Sequence, residues 1–117
     1  MRFACGPKTF MDYDQAELDA AYDQAAYQPN IQQLRDRWVA NSERARARIG
    51  LPERRAYGPG EIEGLDIFRT EAPAPAPIFV FIHGGAWRAG RAATYAAPAE
   101  MFIGAGVHYV VPDFSWV

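Results

Sequence analysis

The spacing of apolar residues changes along the chain, and the changes mark its elements. Leu18, Ala21, Tyr22 and Ala25 fall on one helical face, and Asp14 followed by Glu17 forms a capping-box-like start. Pro29-Asn30 breaks this helix and begins another. In the second, Ile31, Leu34, Trp38, Ala45 and Ile49 keep helical spacing until Gly50 and Pro52 stop it. Residues 14–50 are therefore expected to be a helical region, preceded by a loosely docked tail over residues 1–10. Beyond Gly50 the pattern becomes strand-like. Arg54–Tyr57 and Ile62–Arg69 flank Gly58-Pro59-Gly60, which predicts antiparallel strands joined by a turn.

The apolar run Ile78–Ile82 is too short to cross a membrane and suits a strand buried on both faces. An alternating Ala-Pro segment before it, residues 72–77, reads as a stiff surface connector. Residues 92–103 predict a helix with Pro98 near its first turn, ended by Gly104 and Gly106, and Val107–Pro112 predicts a last strand. The order is ββαβ, an α/β fold whose crossover should be right-handed.

Composition narrows the function classes. The 117 residues suffice for one modest domain, with half of them hydrophobic and 22% charged, as in a globular protein. A net charge of −2 gives no attraction to nucleic acid or to an anionic membrane. Arg44, Arg46 and Arg48 are expected to form a solvated helix face. The single cysteine, Cys5, excludes an internal disulfide and fits a reducing, cytoplasmic setting. The two histidines, His83 and His108, stand in different elements and make no metal-ligand set, so neither metal nor cofactor is expected.

The chemistry concentrates where the apolar run ends, at His83-Gly84-Gly85-Ala86-Trp87. Ligands on open α/β sheets bind at the carboxyl ends of strands. Glycines there leave backbone N–H groups open to a substrate, and such groups stabilise the negative charge that develops on a carbonyl oxygen during acyl transfer. Gly84, Gly85 and Ala86 are accordingly the candidate oxyanion-hole positions. Trp87 is expected to line the substrate pocket or to be plain core.

This motif resembles the HGG-type loop of α/β-hydrolase esterases, and the Trp after it is most similar to arylformamidase-like (kynurenine formamidase-like) members and related carboxylesterases. The resemblance implies that the chain is the amino-terminal part of an α/β-hydrolase sheet, ordered 1-2-4-3 and preceded by two cap-like helices, and incomplete as it stands. It implies hydrolysis of a small ester or amide, with Gly85 and Ala86 as the best N–H donors and His83 shaping the loop. It also implies a Ser-His-Asp/Glu triad on a continuation or on a second, associated polypeptide, because no G-x-S-x-G elbow is present. Ser115 lacks the glycines of such an elbow and reads as a loop residue, Asp113 as a loop support or arginine partner, and His108 as a satisfied core or interface histidine. The alternative from another class is a non-catalytic, hydrolase-like binding module.

Overall fold

A computed structural model describes residues 6–117; Cys5 lies outside the described residues. The chain divides into two compact units, residues 1–34 and 35–117.

In the first unit, α1 (Gln15–Tyr22) begins where the sequence places it. The Asp14 carboxylate accepts the Glu17 N–H at 2.9 Å and the Glu17 carboxylate accepts the Asp14 N–H at 2.8 Å, a complete capping box. Hydrogen bonds from the Glu17 backbone, chiefly, hold the Asp14 carboxyl below its usual range. Because that shift is downward, Asp14 supports the helix start above the ordinary carboxylate pKa and loses its contribution as pH falls through the depressed value. Acidification from pH 7 toward 3 should therefore lower the protection factors of the first-turn amides of α1, taken relative to unstructured exchange at the same pH, and Asp14→Asn, which keeps a capping oxygen, should weaken that pH dependence. The helix ends earlier than its apolar spacing predicts. Asp23 turns its carboxylate onto Ala25 N–H and starts a separate turn, α2 (Gln24–Tyr27). The predicted apolar face is not buried: Tyr22 is 82% exposed, and no residue of α1 is buried.

Helix α3 (Ile31–Ile49) matches its predicted bounds, ending at Gly50 with φ +93°, a conformation that favours glycine. Its later turns belong to the second unit, where Ala45 is buried and Ile49 packs at the core margin. Ser42, fully buried, donates to the Thr94 carbonyl at 2.6 Å and accepts the Ala97 N–H at 3.2 Å. The arginines keep to a solvent-facing side of the helix, with Arg44 and Arg48 exposed, and two of them also make contacts beyond it. Arg46 donates to the Ala93 carbonyl and Arg48 pairs with Glu100 at 2.6 Å, so only Arg44, bonded to Asn41, keeps to its own helix.

The sheet of the second unit comprises β1 (Glu53–Ala56), β2 (Gly64–Phe68), β3 (Ile78–Val80) and β4 (His108–Pro112) in the order β1-β2-β4-β3. β1 pairs antiparallel with β2, β2 antiparallel with β4, and β3 parallel with β4. This is the strand order that the resemblance implies. The predicted helix 92–103 divides into a 3₁₀ turn, Ala92–Tyr95, and α4 (Ala99–Gly104), because Pro98 has no N–H to continue a helix and its ring excludes the preceding turn.

These elements pack on one sheet face. Phe68, Tyr109 and Val111 from the sheet meet Ala92, Ala96 and Ala99, with Phe81, Tyr95, Phe102 and Ile103 completing the cluster. Tyr109 donates its hydroxyl to the Tyr95 carbonyl at 2.9 Å, and burial pushes its pKa up to about 12. Tyr109→Phe should cost about 1 kcal/mol in a denaturant melt, by removing one buried hydrogen bond.

The expectation that Ile78–Ile82 is buried on both faces is also corrected. Phe79 and Phe81 stack toward Tyr109, but β3 is an edge strand, and on its other side Ile78, Val80 and Ile82 are 66%, 52% and 55% exposed. Among the described residues nothing pairs with its free edge. No helix among the described residues is long and apolar enough to cross a membrane.

Candidate functional site

The loop that leaves β3 is held in an unusual backbone conformation. Gly85 has φ +132°, and Ala86 and Trp87 follow at +53° and +60°. Left-handed backbone is costly for side-chain-bearing residues, about 1–2 kcal/mol each, so the surrounding structure must enforce it. Three contacts do so. The Arg88 N–H closes the turn onto the Gly85 carbonyl at 3.0 Å, the Val117 N–H donates to the Trp87 carbonyl at 2.8 Å, and the His83 ring pins the loop from beneath.

His83 is buried between two aromatic planes, stacked on Phe114 at 4.5 Å and on Tyr95 at 5.2 Å. Its Nδ1 lies 2.9 Å from the Gly84 carbonyl oxygen. A carbonyl only accepts, so Nδ1 carries the proton and Nε2 presents a lone pair. That Nε2 is buried and has no partner among the described residues. The ring thus contacts the loop backbone through Nδ1 and stacks on two aromatic rings.

Two glycines are obligatory in this packing. A Cβ on Gly85 would stand 1.9 Å from the Ala89 carbonyl oxygen, and one on Gly90 would stand 2.6 Å from His83 Nδ1 and 2.8 Å from the Gly84 oxygen. Gly84 is different: a Cβ there meets nothing within 4 Å, so the space before it is open. Gly84, Gly85 and Ala86 are exposed, and none of their N–H groups donates to another described residue. Trp87, 61% exposed, stands beside Phe114 with ring centroids 5.5 Å apart.

An ion network with two buried carboxylates supports the loop from the sheet side. Asp113, just past β4, accepts the Ala92 N–H at 2.7 Å and an Arg54 N–H at 2.7 Å, while Arg54 also donates to Asp66 at 2.8 Å. Burial alone would lower the Arg54 pKa, and the hydrogen bonds to Asp66 and Asp113 more than offset it, leaving it raised. Tyr57 adds a hydrogen bond from its hydroxyl to the Asp113 carbonyl at 2.6 Å. Asp113 therefore fixes the strand end from which Phe114 reaches His83, in agreement with its reading as a loop support and arginine partner.

Other sequence candidates fall away from the loop or stay inert. His108 accepts the Thr70 N–H at Nδ1, 3.1 Å, and is satisfied. Ser115 is exposed and has neither a histidine nor a carboxylate partner among the described residues. Ser115→Ala should accordingly leave any hydrolytic rate within about twofold, since a serine without a base is a weak nucleophile; loss of activity would contradict this. Among the described residues no cluster of His, Cys, Asp and Glu is arranged to hold a metal. Two surface depressions run along α3, β2 and α4, lined by residues such as Ile49, Arg69 and Ile103, and neither is lined by a residue of the loop. A depression with no strained backbone or free N–H groups is a poorer candidate than the open loop.

Sequence reasoning missed Gly90, Phe114 and Arg54. Gly90 had a signal in its place downstream of the Gly pair. The stacking of Phe114 on His83 and the pairing of Arg54 with Asp113 depend on strand order and carry none.

No family model matches the chain, and no curated protein does so. Among solved structures it is similar to a "putative thioesterase" from Silicibacter sp. TM1040, with 30% sequence identity and a TM-score of 0.73 over 86% of this chain. The chain spans 38% of that protein's length. The expected place among arylformamidase-like α/β-hydrolases is corrected by this finding: the similar structure bears a thioesterase description, and no model of the expected family matches. The reason lies in what the motif encodes. His-Gly-Gly-Ala-Trp specifies a turn in which the histidine ring and glycines hold backbone N–H groups outward, and that geometry fixes neither a family nor a substrate.

Proposed function

We propose that this chain carries the carbonyl-binding loop of an acyl hydrolase acting on an ester or thioester. The observation that carries the reading is the run of exposed residues Gly84, Gly85 and Ala86, whose N–H groups have no partner among the described residues and of which Gly85 and Ala86 have positive φ, in a loop held by a buried histidine. Strained backbone of this kind costs stability and is concentrated where a ligand is clamped. When a nucleophile attacks an acyl carbonyl, its oxygen becomes an anion. N–H groups already fixed around that position stabilise it without reorganisation, each by about 3 kcal/mol. The thioesterase description of the similar structure supports the same class of chemistry.

The described residues around the loop offer no activated nucleophile, since His83 is committed to Gly84 and Ser115 stands without a base. The proposal therefore assigns the nucleophile and its base to polypeptide beyond these residues, continuous with this chain or associated with it. The free edge of β3 and its exposed Ile78, Val80 and Ile82 favour such an association, because an open apolar edge takes up a further strand.

The test is intact-mass analysis of the complete protein before and after a fluorophosphonate probe, alongside thiol release from an acetyl thioester. The expected result is turnover, with the probe on a residue outside 1–117. A probe adduct on Ser115 would overturn the assignment of the nucleophile. Absence of both adduct and turnover would overturn the enzyme reading and leave a binding module.

A further inference from the structure

Resting on the acyl-hydrolase reading, we infer that the site selects acyl esters or thioesters that carry their own negative charge. The basis is the side-chain chemistry around the loop, separate from its backbone. Residues 72–99 contain no acidic residue but include Arg88 and Arg91, both exposed and without a carboxylate partner among the described residues. Asp113, which reaches the loop's downstream end through Ala92, is buried and already paired with Arg54, so its charge is answered from the sheet side.

One of the arginines stands on an exposed aromatic plane. Arg91 lies over the Trp116 ring, 4.9 Å from its centroid, and Trp116 is held near Trp87 by the neighbouring Val117 N–H bond to the Trp87 carbonyl. Trp87 and Trp116 are 61% and 44% exposed. A cation on an aromatic face keeps its outward N–H groups free for an anion, and a guanidinium is suited to carboxylate, phosphate or sulfonate. The exposed rings offer apolar area for the rest of the substrate. Two unpaired arginines also give the loop a positive potential that concentrates anionic substrates at low ionic strength.

The charge can sit on the acyl part or on the leaving group, and matched substrates separate the two. The complete protein is assayed with p-nitrophenyl butyrate, p-nitrophenyl hemisuccinate and the butyryl ester of a sulfonated nitrophenol. At low salt, at least one anionic ester should exceed the neutral one in kcat/KM by roughly two- to fivefold, the scale of one exposed ion pair. Whichever ester is preferred identifies the side that carries the charge. Arg91→Gln and Arg88→Gln should each lower that preference, high salt should erase it, and Arg44→Gln on α3 should not change it.

Tryptophan emission titrated with succinate and with butyrate provides a readout that needs no turnover. Saturable quenching by succinate alone, lost in Trp116→Phe and in Arg91→Gln, supports the inference even if no ester is hydrolysed, an outcome that would count against the acyl-hydrolase reading instead. Hydrolysis of all three esters with no preference, or preference that survives both arginine substitutions, overturns it. So does equal quenching by the two acids.

Discussion

Gly85→Ala is expected to lower kcat by at least about a hundredfold while leaving the fold intact. At φ +132° a side chain is already strained, and the new Cβ would lie 1.9 Å from the Ala89 carbonyl oxygen, a backbone atom that cannot swing aside. The loop has to move, and with it the N–H groups of Gly85 and Ala86. Losing one well-placed donor costs about 3 kcal/mol of transition-state stabilisation, which is roughly a hundredfold in rate. The core cluster of Phe68, Tyr109 and Val111 does not include the loop, so far-ultraviolet circular dichroism should remain that of the wild type.

Gly84→Ala is the control. Its Cβ meets no protein atom within 4 Å, so the protein should fold and melt as the wild type does. Its methyl group would instead stand in the open space where a carbonyl approaches, and kcat/KM should fall without loss of stability. Steady-state kinetics with thermal melts check both variants. Equal activity in Gly85→Ala and wild type would remove the loop from the reaction.

The second large effect is on stability. Arg54→Met should destabilise the second unit by about 2 kcal/mol in a urea melt. Arg54 is the shared partner of Asp66 and Asp113, whose side chains are 11% and 9% exposed, and its removal leaves both carboxylates without a counter-charge. The fully buried case costs about 3–5 kcal/mol, reduced here because the Arg54 side chain is itself 44% exposed. Arg54→Lys should fall between the two, since an ammonium cannot reproduce the forked geometry that serves two carboxylates at once. The packing around the guanidinium is tight: a Cβ on Gly64 would stand 2.6 Å from Arg54 Nε. An unchanged urea midpoint in Arg54→Met would show that the network is incidental.

What the sequence made legible was local. The capping box at Asp14 and Glu17, the break at Pro29-Asn30, the stop at Gly50 and the positions of all four strands follow from neighbouring residues alone, and the structure agrees with each. The misses are tertiary. Leu18, Ala21 and Tyr22 have helical spacing, yet the described structure buries none of them, because periodicity reports a face and not what covers it. The apolar run Ile78–Ile82 reads as a strand buried on both faces, but only the Phe79 and Phe81 side is packed.

Pro98 carries a local signal for the division of the predicted helix, its missing N–H. At the candidate site, the glycine pair and His83 stood out by residue type. The residues that hold them, Phe114 through a ring stack and Arg54 through Asp113, come from strands that meet only after folding. The assignment to a family reached further than the motif could support, because a turn geometry is shared by proteins with different substrates.

The central claim is that the loop N–H groups bind the oxygen of an acyl group during hydrolysis. Proton–nitrogen correlation spectra of the complete protein, labelled with nitrogen-15 and treated with an alkyl trifluoromethyl ketone, test it directly. Such a ketone mimics the tetrahedral anion once a nucleophile adds to it. The account predicts large downfield shifts of the Gly85 and Ala86 amide protons, and small shifts for amides in β1 and β2. Inhibition by the ketone with the Gly85 and Ala86 signals unmoved would contradict it.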